Sequence, residues 1–294
     1  MNDQEGSRNV EDVRGSSGGG FRPVHGISLG TVVIALVAGW AFGINPLQIL
    51  GLLSGGGGTI QTSPAPSAAP TDPNDPNVKF VSQVLRSTEQ VWGDVFQSIG
   101  QQYQEPKLRL YRDSYPTACG QGEAAQGPFY CPNDQIVYLD LSFFDLMTQQ
   151  LGAPGQFAHA YVIGHEVGHH VQNLLGIIPK VDAARQRGDE AESNALSVKL
   201  ELQADCFAGV WANRAQKEQH GWRFESGDVE TAINAATQIG DDTLQRKSRG
   251  TVVPESFTHG TSGQRVSWLK KGLDSGDLNA CDTFGTGSVA NSGR

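Results

Sequence analysis

The sequence predicts an α+β fold, mostly helical with a small β-sheet, preceded by one N-terminal transmembrane helix. Three observations carry that expectation. An uncharged apolar run from Ile27 to Ile44 is long enough for a thin or tilted membrane span. Beyond residue 78, apolar residues recur at three- and four-residue steps through several segments, the mark of amphipathic helices. Ile136 to Leu141 alternates with period two and reads as a strand.

Taken in order, residues 1–26 are polar and Gly/Ser-rich. They show no periodic apolar pattern and are expected to form a disordered tail. Arg8, Arg14 and Arg22 precede the apolar run, and no Lys or Arg occurs between Arg22 and Lys79. By the positive-inside rule the tail stays in the cytoplasm and residues 27–53 act as a signal anchor that exports the rest. A cleaved signal peptide and a buried core helix are the alternatives. The run exceeds a usual signal-peptide core, no small-x-small site follows it directly, and its flanks are Gly-rich. Residues 54–77, with GGGG and then PAPSAAPTDPNDPN, read as a flexible and then semi-extended tether. The expectation is a single-pass protein of the cell membrane with its C-terminal domain periplasmic or extracellular.

A domain over residues 78–284 follows. Val81, Val84, Leu85, Val91, Trp92, Val95, Phe96 and Ile99 fall on one face of a helix. Leu108 to Tyr111 suggests a short strand ahead of the one at Ile136. Helical patterns run over about 155–175, 193–216, 226–239 and 262–273. Residues 285–294 are small and polar and are expected to be disordered.

Four cysteines, Cys119, Cys131, Cys206 and Cys281, all follow the apolar run. An even number on the exported side suits two disulfides. Sequence permits three pairings; Cys119–Cys131 with Cys206–Cys281 is favoured because the first pair brackets a short glycine-containing loop. The formal net charge is −9. An acidic chain with no basic cluster is a poor holder of phosphate backbones, so nucleic acid is not expected as a partner. The sequence leaves oligomeric state open.

The chemistry concentrates at His165-Glu166-Val167-Gly168-His169. Residues four apart on an α-helix stack one turn above each other, so both imidazoles can reach one ion at about 2.0–2.1 Å. Glu166, about 100° round the helix, is placed to take a proton from a metal-bound water without ligating the metal. A third ligand must come from elsewhere. The layout with a Gly and a further His downstream fails, because Gln172 and Leu175 stand at those positions. The alternative takes a Glu from a second helix, giving two His and one Glu. Glu201 and Asp205, one turn apart in a helical stretch, fit: Glu201 as third ligand, Asp205 as acceptor fixing a ligand imidazole.

These residues also carry a resemblance. HEVGHH followed by ELQADCFAGVWA resembles the gluzincin branch of zinc peptidases. More closely, YPTACG, GPFYCP, VYLDLSFF, GAPGQFAHAYVIGHEVGHHVQNLLGI and SFTHGTSGQR resemble the bacterial family of putative neutral zinc metallopeptidases, from about Trp92 to Phe284. The resemblance implies a zincin-like fold binding one Zn2+ ion, with the His165–His169 helix facing the Glu201 helix across the metal. Three assignments are looser. His259 is a candidate for stabilising a tetrahedral oxyanion, with Arg265 orienting its loop, although a helix-start loop capped by Thr261 or Ser262 explains the segment as well. His170 points away from His169 and reads as a neighbour of the site or a surface residue. Gly127 to Tyr130 is a candidate rim strand for an extended substrate, or simply a disulfide-clamped loop.

Two functions follow from different classes. One is a zinc-dependent endopeptidase acting on protein or peptide substrates. The other is a zinc-stabilised binding or assembly module at the cell surface, with the peptidase site retained but idle. A structural metal site would instead require four protein ligands.

Overall fold

The computed structural model describes residues 5–15, 74–123, 127–217, 227–285, 287 and 289. The expected anchor at residues 27–53 and the tether as far as residue 73 lie outside them. No helix among the described residues is long and apolar enough to cross a membrane.

Helix α1 (Pro76–Ser98) starts where the sequence supplies both halves of an N-terminal signal. Asp75 caps it, its carboxylate accepting from the Asn77 amide at 2.9 Å, and Pro76 fills the first turn, where its missing N–H costs nothing. All the apolar positions of its repeat are buried except Ile99, which is partly so.

A four-stranded sheet runs β1 (Val10–Asp12), β2 (Lys107–Tyr111), β6 (Ile136–Asp140), β5 (Phe129–Cys131) across its width. β1, β2 and β6 are parallel, and β5 joins the edge antiparallel to β6. The hairpin β3 (Ser114–Thr117) and β4 (Gly120–Glu123) forms a separate pair. Every residue of β6 is buried. Its alternation does not divide core from solvent but one core from another. Val137 and Leu139 join the main core with Leu108 and Leu110, while Ile136 and Tyr138 join a second cluster with Tyr111, Tyr115 and Cys131.

Strand β1 overturns the expectation of disorder for the whole of residues 1–26. Val10 and Val13 are buried, and Glu11 is bound by Lys107 at 2.7 Å and by Arg109. Three residues of strand carry no periodicity of their own; the partner strand almost a hundred residues away supplies the order. The expected tail at 285–294 is corrected in part too. Val289 is fully buried and donates its amide to Asn279, and the Asp282 carboxylate accepts from the amides of Gly285 and Gly287.

The helices that follow are α2 (Ser142–Leu146), running into a π-helical turn at Met147–Leu151, α3 (Gln156–Leu174), α4 (Ile177–Arg185), α5 (Glu190–Lys217), α6 (Asp228–Gln238), α7 (Asp241–Arg249) and α8 (Ser262–Ser275). α3, α5, α6 and α8 match the periodic segments of the sequence. α2, α4 and α7 do not stand out there, being short and weakly patterned.

Both favoured disulfides are present, Cys119–Cys131 and Cys206–Cys281. The first ties the turn of the β3–β4 hairpin to β5. The second spans 75 residues and fastens the C-terminal 3-10 turn (Leu278–Cys281) to α5. Loop-closure entropy makes the longer link worth about 4 kcal/mol and the shorter about 3 kcal/mol. The double variant Cys206→Ala/Cys281→Ala should therefore lose on the order of 4 kcal/mol in guanidinium unfolding, and Cys119→Ala/Cys131→Ala measurably less.

Candidate metal centre

Helices α3 and α5 lie side by side because α3 has no side chains at two places where they touch. A Cβ on Gly164 would come within 2.8 Å of the Trp211 ring, and one on Gly168 within 3.0 Å of the Ala204 carbonyl oxygen and 3.1 Å of its Cα. The contact set by Gly168 lies one residue before His169 and faces the turn of α5 between Glu201 and Asp205.

Across that contact the carboxylate of Glu201 meets both imidazoles. Its oxygens lie 3.1 Å from His165 Nε2 and 3.4 Å from His169 Nε2. One ligand atom from each of the three residues falls within 4.8 Å of the other two. Ligands at about 2.1 Å in a tetrahedron stand about 3.4 Å apart, so the set fits one zinc-sized ion, with the fourth position left to the cleft.

Each ring is held by its other nitrogen. His165 Nδ1 donates to Asp205 Oδ1 at 2.8 Å, and His169 Nδ1 to Gln172 Oε1 at 2.9 Å. Gln172 is itself oriented, its amide donating to the Leu200 carbonyl and to Gln203 Oε1. With Nδ1 of each ring engaged in this way, Nε2 faces the cluster, where a neutral ring would offer its lone pair to a metal.

Asp205 is fully buried and fully engaged. It accepts from Tyr161 Oη at 2.6 Å and from both Nε and Nη2 of Arg265 at 2.9 Å. Burial by itself would raise its pKa; the Arg265 guanidinium, helped by His165, holds it at about 2. Arg265 thus serves Asp205 rather than orienting the His259 loop. It reaches that depth because Gly209 of α5 and Gly272 of α8 bring those helices together: a Cβ on either would overlap backbone of the other helix.

The His165 ring feels the same charges. Burial opposes its protonation, but Asp205 and then Glu201 carry its pKa up to about 10. Carboxylates that favour an imidazolium favour equally a cation between the rings. Glu166, buried beside them, has its pKa raised by burial against the opposing pull of the two histidines, and it accepts a hydrogen bond from the Tyr130 amide of β5.

A HExxH helix and a carboxylate from a second helix thus converge on a place that could hold one metal ion. The sequence profile of the family described as putative neutral zinc metallopeptidase matches residues 1–284. The chain belongs to that family. It is similar to the uncharacterized protein YpfJ of Escherichia coli strain K12, 51% identical over 286 residues that cover 95% of this chain and 96% of the relative. The uncharacterized protein Rv2575 of Mycobacterium tuberculosis strain H37Rv is 41% identical over 190 residues, 62% of this chain and 63% of the relative. No solved structure matches the chain.

In this family member His165, His169 and Glu201 line a cleft of about 550 Å³. Glu166, Glu201, His259 and Arg265 contribute its polar lining; Phe143, Leu146, Leu151, Ile239 and Leu244 are among its apolar residues, and Phe129 and Tyr130 of β5 also border it. His259 therefore does reach the cleft, and its side chain is about half exposed. Its loop is also a capped helix start. Thr261 and Gln264 form a capping box, and the Asp241 carboxylate accepts from the backbone amides of Thr258, His259 and Gly260. Asp241, unremarked in the sequence, is what orients this loop. The negative charge of Glu201 and the Asp241 contact outweigh burial and raise the His259 pKa.

His170 proves to be neither ligand nor surface residue. It is fully buried, with Nε2 donating to the Gln104 carbonyl at 2.6 Å and Nδ1 accepting from Tyr130 Oη at 3.0 Å. Gln172 and the partnership of Tyr161 with Asp205 were missed. The available signals were spacing: Gln172 lies three residues after His169, and Tyr161 four before His165.

Two outcomes check this geometry. Gln172→Leu, which leaves His169 Nδ1 without an acceptor, should lower zinc affinity by about 10- to 100-fold in competition with a chromophoric chelator, with far-UV circular dichroism unchanged. Burial lowers the His170 pKa from 6.5 to about 4. The unfolded chain therefore binds more protons in that window, so stability is complete above pH 6.5 and lost as pH falls to 4. The loss should be on the order of 3 kcal/mol, measured by denaturant unfolding across pH, and His170→Gln should remove this part of the pH dependence.

Proposed function

We propose that the domain is an endopeptidase that uses one zinc ion, held by His165, His169 and Glu201. The observation that carries this reading is Glu166: a buried carboxylate beside three converging ligand atoms, fixed by the Tyr130 amide and not needed as a ligand. Zinc, when bound, supplies a water acidified to a pKa of about 7 and a Lewis acid for the scissile carbonyl.

The chain's own residues do the rest. Glu166 takes the proton of the attacking water and hands it to the leaving amine, a dual role that its raised pKa suits. Asp205 and Gln172 keep the two imidazoles in one tautomer throughout. His259, on the cleft wall, stands ready to donate to the developing oxyanion. Edge strand β5 offers backbone to an extended peptide, and the apolar wall of Phe143, Leu146, Leu151, Ile239 and Leu244 accepts a large apolar side chain next to the scissile bond.

The zinc-loaded protein should cut a broad peptide library beside Leu, Ile, Phe and Met. Glu166→Gln should retain its zinc and lose at least about 100-fold in rate. A zinc-loaded protein that cuts nothing, or a variant that cuts as fast as the parent, would leave the idle binding or assembly module as the better account.

A further inference from the structure

Strand β5 is an outer strand of the sheet and borders the cleft, with Pro128, Phe129, Tyr130 and Pro132 all in its lining. It pairs antiparallel with β6, Phe129 opposite Tyr138, Tyr130 opposite Val137 and Cys131 opposite Ile136. In such a pair, successive residues turn their N–H and C=O alternately to the partner strand and away from it. Two contacts fix the phase. The Cys131 carbonyl accepts from the Gln135 amide at 2.9 Å, closing the hairpin toward β6. The Tyr130 amide meets the Glu166 carboxylate on the other side. Phe129 and Cys131 therefore face β6, while Pro128, Tyr130 and Pro132 face the cleft.

Those three residues offer the cleft no donor. Proline has no N–H, and the Tyr130 amide is committed to Glu166. Acceptors remain. A peptide unit is planar and trans, so the Pro128 carbonyl points opposite to the Phe129 amide, and the Tyr130 carbonyl opposite to the Cys131 amide. Both carbonyls turn to the open side, whereas that of Pro132 is taken by Asn173 Nδ2 at 3.5 Å. The strand cannot slide to change this pattern. Tyr130 Oη is held by His170 Nδ1 and Asn173 Nδ2, both at 3.0 Å, and Cys131 is bonded to Cys119.

We infer that the β5 edge grips an extended peptide through acceptors alone: the carbonyls of Pro128 and Tyr130 take the N–H groups of two substrate residues that stand two apart in sequence. Ordinary strand addition exchanges bonds in both directions; here the returning half is missing. The spacing is the same whichever way the substrate runs, because both acceptors lie on one side of one strand. A substrate must then carry an N–H at both positions, so proline or an N-alkylated residue at either is disfavoured. This selects on the peptide backbone, in addition to the apolar side chain next to the scissile bond. Substrate carbonyls, offered no amide by this edge, are left for the cluster beside Glu166, where hydrolysis needs one of them. The inference rests on the peptidase reading of the same site and names the backbone pattern it would accept.

Peptide binding to the zinc-loaded Glu166→Gln protein tests this, since it reads the grip without cleavage and the substitution keeps an acceptor for the Tyr130 amide. The probe is a fluorescein-labelled decapeptide with a central Leu, followed by anisotropy. Each backbone amide is replaced in turn by an ester, which removes the N–H and adds no bulk. The expected result is binding weaker by about 10-fold at two positions two residues apart, with little change elsewhere. Pro128→Ala, which restores a donor to the edge, should bind the all-amide peptide about 5-fold more tightly. Equal tolerance of the ester at every position, or losses at adjacent positions, would overturn the inference and leave the two prolines as guards against edge-to-edge pairing. Failure of the peptide to bind at all would overturn it too. The peptidase reading falls separately. A parent protein that cuts no peptide, with the ester pattern present, keeps the edge as inferred and makes the site idle. Cleavage by the parent without that pattern removes the inference alone.

Discussion

Glycine at positions 164 and 168 is the constraint on which the site depends. Side chains there would push α3 off α5, and Glu201 contributes nothing to His165 and His169 unless the two helices touch. A carboxylate that ligates a metal must stand within a few tenths of an ångström of its place, a tolerance smaller than the displacement a single methyl would force. Packing and chemistry are therefore one requirement: the motif supplies two imidazoles, and the bare surface beside them admits the third ligand.

Behind that contact a second layer removes the remaining freedom. Asp205 is a buried charge, costly in isolation, yet it accepts four hydrogen bonds from three residues and sits beside a guanidinium. Such a network holds His165 more rigidly than packing alone. The Gln172–Gln203 pair does the same for His169, and Gln203 continues to the carbonyl of Cys281 at 2.9 Å, so the long disulfide is tied to the same layer as the ligands. The fold's stability and the ligand geometry share these bonds.

Much of this was legible in the residues. HExxH with its 3.6-residue periodicity located α3, the pairing of Glu201 with Asp205 at one-turn spacing located the partner helix, and even cysteine numbers with a short first loop favoured the disulfides found. These are local signals, since a helix repeats its faces every few residues. Strand β1 was not legible, because three residues cannot display a period. Nor was the role of Arg265, whose partner lies sixty residues away on a different helix. His170 is the neighbour of the site that was one of its two readings, through Tyr130, but its burial was not legible: helical angle says which way a side chain leaves its own helix, not what a loop such as the one at Gln104 brings to meet it.

By itself, then, the sequence determined which elements form and which side chains share a face, because backbone geometry converts spacing into direction. Only the tertiary structure decided which faces meet: that Glu201 turns to the histidines, that Arg265 serves Asp205 while Asp241 holds the His259 loop, and that the N-terminal strand belongs to the domain it was expected to be separated from. The physical reason is that contact between distant segments depends on close approach and on charge compensation in a dry interior, and neither is a property of any short stretch of chain.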